Sequence, residues 1–518
     1  MKQLEGFYIQ FSQTLDEAAN RSLQGLCNVL LENLLLGVTE LYPAYTNLYI
    51  EYDAKQVARQ HVETWVKKYQ QQGLQEISGR IITLPVRYDG EDLDWISQQT
   101  GLSIPEVIGL HSESSYHVYA VGFTPGFPLM GKLDDTLYLP RRKTPRKKVP
   151  AHSVAIAVSQ TAVYPQSTPG GWHLLGTSLK TIYDPNREEP FLLAPGDKVR
   201  FEPSDGPTPP DSKALELLPK EPKHPVLSVE NPGLLDIVVD SGRFMASRFG
   251  MARTGAMDEY SARLANALVG NKEGAVLLEL TLKGPVFRAL QDVVLGFAGY
   301  GMLPLINKNS VNKNPVQAFS SLALKKGDTL SFQSLSQGLR AYLAFPGGLE
   351  SDLFLESAST DSKGCVGRAL QTGDILGCHT LLKTRLAYSV SYRALPQDIN
   401  IRILPGPQAT PEALQALTSA HFSIYSLDRM GIRLEGPKIP GGELISEATP
   451  MGAIQVTTEG QPIILLNDRG RIGGYAKPAM VDPRDLPLVA QLRPGQKVRF
   501  YQPKSMQIPK WTVKSDLV

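Results

Sequence analysis

The sequence predicts a mainly β protein, with an α+β N-terminal domain followed by β-barrels in tandem. Three observations predict it. The phrase LAPGDKVRF at 193–201 returns as LRPGQKVRF at 492–500, with weaker echoes LKKGDTLSF at 324–332 and LQTGDIL at 370–376. Pro195-Gly196 and Pro494-Gly495 suit the centre of a type II turn, where proline sets φ and glycine takes the positive φ. The Lys-Val-Arg-Phe that follows alternates polar and apolar, as a strand with one buried face does. Glycine (45) and proline (39) are frequent in the 518 residues, as many short strands joined by tight turns require. The first ninety or so residues, in contrast, alternate strand and helix patterns.

Taken in order, 5–11 reads as a strand and 15–36 as a helix with Leu23, Leu26, Leu30 and Leu34 on one stripe. Within it, NVLLENLLLGV (28–38) is apolar but too short to cross a bilayer and is broken by Glu32 and Asn33, so it is a core helix. Residues 46–52 form a strand, 54–72 a second helix through Val57, Val62, Trp65, Val66 and Tyr69, and 79–88 a third strand. Two short helices follow. The second opens on Ser103-Ile104-Pro105-Glu106, a capping box with proline in the first turn. From 116 to 203 the chain is strands and turns, and 202–225 shifts to Pro, Lys and Glu as a linker does. The rest is mostly β around one helix, MDEYSARLANALVG, with Asp258 to cap its start and Gly270 to end it. Echoes within this region, LTLKGPVF (280–287) beside IRLEGPKI (432–439), predict two barrels here and three in all. The expected divisions are 1–115 (α+β), 116–204 (barrel), 205–225 (linker), 226–385 (barrel) and 386–510 (barrel).

Composition excludes several function classes. A net charge of +2 supplies no field for nucleic acid or a membrane surface. Cys27, Cys365 and Cys378 make no CxxC and leave an odd thiol, and the amino terminus lacks a signal-peptide pattern, so a cytoplasmic protein is expected. His111, His117, His152, His173 and His379 form no ligand set, and no metal is expected to be held by the chain itself. Neither HExxH nor GxSxG occurs.

Three stretches carry candidate chemistry. GFTPGFPLMG (122–131) and STPGGWHLLG (167–176) are glycine-rich loops of the kind that bring backbone N–H groups near a ligand; neither is a Walker A loop. PRRKTPRKKVP (140–150) is either a solvated basic surface or, through Arg141 and Arg146, a bidentate clamp for phosphate or carboxylate. At the carboxy end, Asp428, Arg429, Glu443, Ser446, Glu447, Gln455, Asp468, Arg469, Tyr475 and Lys477 gather in strand-and-turn context. They read as a barrel-mouth site or as salt bridges on a polar face.

The motifs GFTPGFPLMG, PRRKTPRKKVPAHSVAIAVSQTAVYPQSTPGGW and PGDKVRF resemble the first subunit of the allophanate hydrolase/5-oxoprolinase family. TGAMDEYSARLANALVGN, STDSKGCVGRALQTGD, LPGPQ, DRMGIRLEGP, GAIQV with GQPIILL, and GGYAKPA resemble the second. The resemblance covers nearly the whole chain outside the linker. It implies a fusion of the B-type and C-type 5-oxoprolinase subunits with cyclophilin-like barrels, and ATP-dependent opening of 5-oxo-L-proline to glutamate with a separate A-type subunit. ATP with magnesium is the implied cofactor, with no covalently bound group, and a homo-oligomer is compatible. Related pairs serve as a carboxyltransferase part of urea carboxylase or as a kinase inhibitor, and the chain carries no biotinylation or ATP-grasp pattern. The site residues implied are Asp468, Lys477, Tyr475 and Arg429 for catalysis, with Lys477 as the cation oriented by Asp468. Phe123, Gly126, Arg141, Arg146, Gln160, Gly170, Gly171, Glu447 and Gln455 are implied for substrate or nucleotide. The chain departs from the pattern at His152 and Val158, where glycine is usual, at Ser178, and at Gly470-Arg471-Ile472, where Gln-Thr-Thr is usual. These departures bear on activity more than on fold.

Overall fold

The computed structural model describes residues 3–70, 79–307, 319–381, 389–390, 394–503 and 511–514. The N-terminal sheet has four strands in the order Val38–Ala44, Asn47–Asp53, Leu4–Gln10 and Thr512–Lys514. Its helix Glu17–Glu32 is capped by Asp16, whose carboxylate accepts from the Ala19 N–H at 2.7 Å, and it buries Leu23, Leu26 and Leu30. Leu34, expected on the same stripe, lies past the helix end and is exposed. The second helix runs Arg59–Gln70; the end expected for it, at 72, falls outside the described residues. The strand Val38–Ala44 was not anticipated, because the apolar run 28–38 reads as one continuous helix.

The first barrel closes through seven strands, in the order His173–Ser178, Ile81–Arg87, Lys198–Pro203, Ser115–Val121, Pro128–Gly131, Gln160–Val163 and Ser153–Ala157. Ile81–Arg87 therefore belongs to the barrel and not to the N-terminal sheet, to which a βαβαβ reading assigns it. The second barrel also closes through seven strands, from Ile399–Pro405 to Lys497–Tyr501. Between the barrels the chain builds two five-stranded sheets and not a third barrel. Their inner faces share one core, in which Val226, Phe287 and Leu330 of one sheet meet Leu278, Leu295 and Leu343 of the other. The expected boundary at 385/386 and the one at 510 lie outside the described residues.

The repeated phrase is a repeated closing device. Lys198–Pro203 pairs in parallel with Ile81–Arg87 and antiparallel with Ser115–Val121. Lys497–Tyr501 pairs in parallel with Ile399–Pro405 and antiparallel with His421–Leu427. Both full copies and both echoes form the same turn, with Gly196, Gly327, Gly373 and Gly495 at φ of +93°, +90°, +92° and +84°. In each, the residue after the glycine folds its side chain back to accept the N–H that opens the turn: Asp197 from Ala194, Asp328 from Lys325, Asp374 from Gln371 and Gln496 from Arg493, at 2.7–2.8 Å.

The segment expected as a linker is pinned to both halves. Ser212 Oγ donates to the Tyr183 carbonyl and Asn186 Nδ2 to the Lys213 carbonyl, both at 2.8 Å, while Leu215 exchanges backbone hydrogen bonds with Cys365 and Gly367. Leu217 is buried. The last described strand, Thr512–Lys514, lies parallel to Leu4–Gln10, and Trp511 Nε1 donates to the Pro405 carbonyl of the second barrel at 2.8 Å.

Gly495 and Gly442 separate backbone from packing, because a Cβ on either meets nothing within 4 Å and only Gly495 has positive φ. Gly495→Ala is expected to cost about 1–2 kcal/mol from the left-handed conformation alone, and Gly442→Ala to stay within about 0.5 kcal/mol of wild type. Chemical denaturation of both variants checks this.

Candidate functional site

The carboxy-terminal candidates divide into two groups that no hydrogen bond or ion pair joins among the described residues. In the first, Lys477 is fully buried and its Nζ lies 2.7 Å from Glu447 Oε1. Gln408 is clamped across this pair: its Nε2 donates to Glu447 Oε1 at 2.8 Å and its Oε1 accepts from the Lys477 N–H at 3.0 Å. The approach depends on Gly406, where a Cβ would stand 2.1 Å from the Lys477 carbonyl oxygen. An ammonium has three donors, and one carboxylate does not use them all. Burial holds the Lys477 pKa below its ordinary value, against the pull of Glu447. Gln455 is buried beside this group with an Nε2 that has no acceptor, and a Cβ on Gly473 would lie 2.6 Å from that nitrogen. Tyr475 is half-buried on the strand Ile472–Tyr475, paired with Glu443–Ala448. The group thus offers unused N–H donors around a carboxylate, a setting for a small polar molecule with a carboxylate or amide oxygen.

In the second group, Arg429 faces the sheet pair. Its guanidinium donates to Asp468 at 2.8 and 3.2 Å, to Glu279 and to the Gly255 carbonyl. Burial would lower its pKa, but Asp468 and Glu279 hold it well above the ordinary arginine value. Burial pushes the Asp468 carboxyl up to about 6, against Arg429. Two corrections follow. Glu447, not Asp468, orients Lys477, and Arg429 already has two carboxylates where a free cation for a small acid was expected. Gln408 and Glu279 were missed; Gln408 stands in the quoted LPGPQ, but nothing in its spacing points to Lys477.

On the first barrel, Arg141 is exposed with its guanidinium 6.0 Å from the Trp172 ring centroid. Around it stand Tyr45, stacked on Tyr119, and Phe127, edge-on to Phe123, Tyr164 and Trp172. Gln160 exchanges hydrogen bonds with the Tyr45 hydroxyl at 2.9–3.0 Å. Burial pushes Tyr45 and Tyr164 up to about 12, opposed in both by the nearby Arg141. Arg146 is not available as a phosphate clamp: its Nη2 donates to both Asp92 oxygens at 2.8 and 2.9 Å, its Nη1 to the Trp172 carbonyl at 3.3 Å, and its Nε meets Glu91 at 2.5 Å. The loop glycines serve packing. A Cβ on Gly170 would strike the Tyr164 hydroxyl at 2.2 Å, and one on Gly126 the Tyr183 Cβ at 2.7 Å; the Gly171 carbonyl accepts from the Arg142 N–H. Of the phosphate ligands expected here, Arg141 alone is open, beside an aromatic wall. That set fits one planar base or a single oxyanion group better than a triphosphate. His111 is a satisfied core residue, bonded to Tyr88 and Thr161 and pushed down to about 3 by burial.

The two barrels' motifs meet. Ile472 packs into the aromatic cluster of the first barrel and against Tyr8 and Tyr42 of the N-terminal sheet. A Cβ on Gly122 would lie 2.6 Å from Ile472 Cγ2. Arg471 Nη2 donates to Glu40 Oε2 at 3.2 Å. The departures are therefore built in: Arg471-Ile472 forms the seam, and His152 and Val158 hold the positive φ (+66° and +55°) that glycine accepts without strain.

Known proteins decide the family. Family models described as "Carboxyltransferase domain, subdomain C and D" and "Carboxyltransferase domain, subdomain A and B" match residues 3–193 and 249–502. The chain is 42% identical over 170 residues to the B-type subunit of 5-oxoprolinase from Escherichia coli O157:H7, covering 32% of this chain and 78% of that one. It is 31% identical over 288 residues to the C-type subunit of 5-oxoprolinase from Escherichia coli K12, covering 54% and 91%. This chain belongs to the 5-oxoprolinase family, with its B-type and C-type subunits in one polypeptide. Urea amidolyase of Lachancea kluyveri is 32% identical over 54% of the chain, which spans only 17% of that protein. The solved structure of TTHA0988 is similar along 96% of the chain and all of its own length, at 48% identity and a TM-score of 0.92. The B-like half thus holds the Arg141 wall, and the C-like half the Lys477–Glu447–Gln408 group.

Two outcomes test this geometry. Lys477→Ala strands Glu447 in the interior and is expected to lose about 3–5 kcal/mol of stability, far more than an exposed turn lysine would. A melting curve checks it. Asp468 is raised in the folded state, so its neutral form favours folding: its contribution is complete below about pH 4 and is lost as pH rises through about 6. Stability of wild type relative to Asp468→Asn is expected to fall by roughly 2–3 kcal/mol across that window, measured by denaturant titration at stepped pH.

Proposed function

We propose that this chain is the B–C component of an ATP-dependent 5-oxoprolinase, activating 5-oxo-L-proline for ring opening to L-glutamate with a separate A-type subunit. The observation that carries it is that one polypeptide matches most of a B-type subunit and nearly all of a C-type subunit. The chemistry is consistent. A lactam amide is a poor electrophile, and phosphorylating its oxygen makes that oxygen a leaving group. The unused donors of Lys477 and Gln455 suit the carboxylate and ring amide of such a substrate, and Arg141 beside Trp172 suits one end of a nucleotide. Magnesium would accompany the nucleotide, held through its phosphates. A cytoplasmic setting accords with three unpaired cysteines, two of them buried.

A second reading is a carboxyltransferase component, favoured by the description of both family models and by the urea amidolyase relative. One assay separates them. With an A-type 5-oxoprolinase subunit added, 5-oxoproline is expected to stimulate ADP release with formation of glutamate, while the chain alone forms little and urea has no effect. Urea-dependent turnover of carboxybiotin in its place would establish the second reading.

A further inference from the structure

The seam between the halves buries guanidinium N–H groups that its own carboxylates leave unused. Arg471, Arg469 and Arg253 are 4%, 2% and 4% exposed. Arg471 reaches Glu40 through Nη2 alone, and its Nε and Nη1 are buried with no hydrogen-bond acceptor. Arg253 meets Glu259 through Nη2 at 3.4 Å, and its Nη1 is likewise buried without an acceptor. Ser247 donates its backbone N–H to the other Glu40 oxygen at 3.3 Å, and its side chain also faces Glu40. Glu51 is partly taken up by the Thr39 hydroxyl at 2.9 Å. Arg469 donates its Nε and Nη1 to the Thr449 and Leu466 carbonyls, and burial first, then Arg471 and Arg253, lower its pKa against the pull of Glu51.

Buried guanidinium donors without acceptors cost free energy that an interface ion pair alone does not recover. The unused donors belong to Arg253, from the loops entering the sheet pair, and to Arg471, from the second barrel, and Glu40 of the N-terminal sheet faces Arg471. A small oxyanion supplies the missing acceptors, and planar forks match its oxygens. We propose that this three-way junction is a binding site for a small oxyanion, of the phosphate, bicarbonate or carboxylate class, which joins the two halves. The site is separate from the Lys477 group and does not rest on the 5-oxoprolinase reading. Arg471 stands where the family resemblance leads one to expect threonine, so the site belongs to this chain's own residues.

The test is calorimetric titration and thermal melting of the full chain with inorganic phosphate, bicarbonate and acetate in separate arms, against sodium chloride at matched ionic strength. One anion is expected to bind at one per chain and raise the melting temperature above the chloride control, and the tightest of the three identifies the source. Arg471→Gln is expected to weaken it by roughly ten- to a hundred-fold. Glu40→Gln, which frees the Arg471 fork and removes a competing carboxylate, is expected to tighten it, whatever it does to the melting point without anion. No binding beyond chloride in wild type would overturn the proposal. So would affinities unchanged in both variants, which would make Arg471–Glu40 an interface ion pair only.

Discussion

Glu279 is the constraint around which the C-like half is organised. It is fully buried on the strand Leu277–Thr281, and it receives Arg429 from the second barrel, Arg340 from the neighbouring strand, the Met257 N–H and the Tyr342 hydroxyl. Burial alone would raise its pKa; the two arginines and the two hydrogen bonds reverse that and hold it below the ordinary glutamate value. A carboxylate in such a place is tolerated only with every partner present. Parting the sheet pair from the second barrel would strip Glu279 of Arg429, and the Arg429–Asp468 pair, which reads as site chemistry in isolation, is the outer arm of the same network.

A second seam does for the two halves what Glu279 does within one. The GFTPGF loop, the turn Ser247–Phe249 and the hairpin carrying Ile472 press together: Gly126 N–H donates to the Phe249 carbonyl at 2.9 Å, and a Cβ on Gly250 would lie 2.6 Å from the Thr124 carbonyl oxygen. Glycine here permits backbone-to-backbone contact. The same physical property that suggests a ligand loop from sequence thus serves an interface, because an absent side chain says that something comes close but not what.

The four turns were legible because everything they need lies within four residues: a proline, lysine or threonine, a glycine at positive φ, and an acceptor side chain after it. The capping box at Ser103 and Glu106, and Asp258 capping the helix Glu259–Ala267, were legible for the same reason. The sheet pair was not. Strands that end in a barrel and strands that end in two stacked sheets carry the same alternation, and closure depends on which edges meet across long sequence separations.

The sequence by itself determined the fold class, the turns and caps, and the membership of two subunits in one chain, since each is written in contiguous residues. Tertiary structure decided which charges are chemistry and which are architecture. Arg146 and Arg141 are indistinguishable in PRRKTPRKKVP, yet one is held by Asp92 and Glu91, fifty or more positions away, and the other faces solvent over Trp172. Lys477 is expected from the sequence as a cation oriented by Asp468, and only the fold puts Gln408 and Glu447 around it. A charged side chain's role is set by what neutralises it, and those partners are brought near only by the fold.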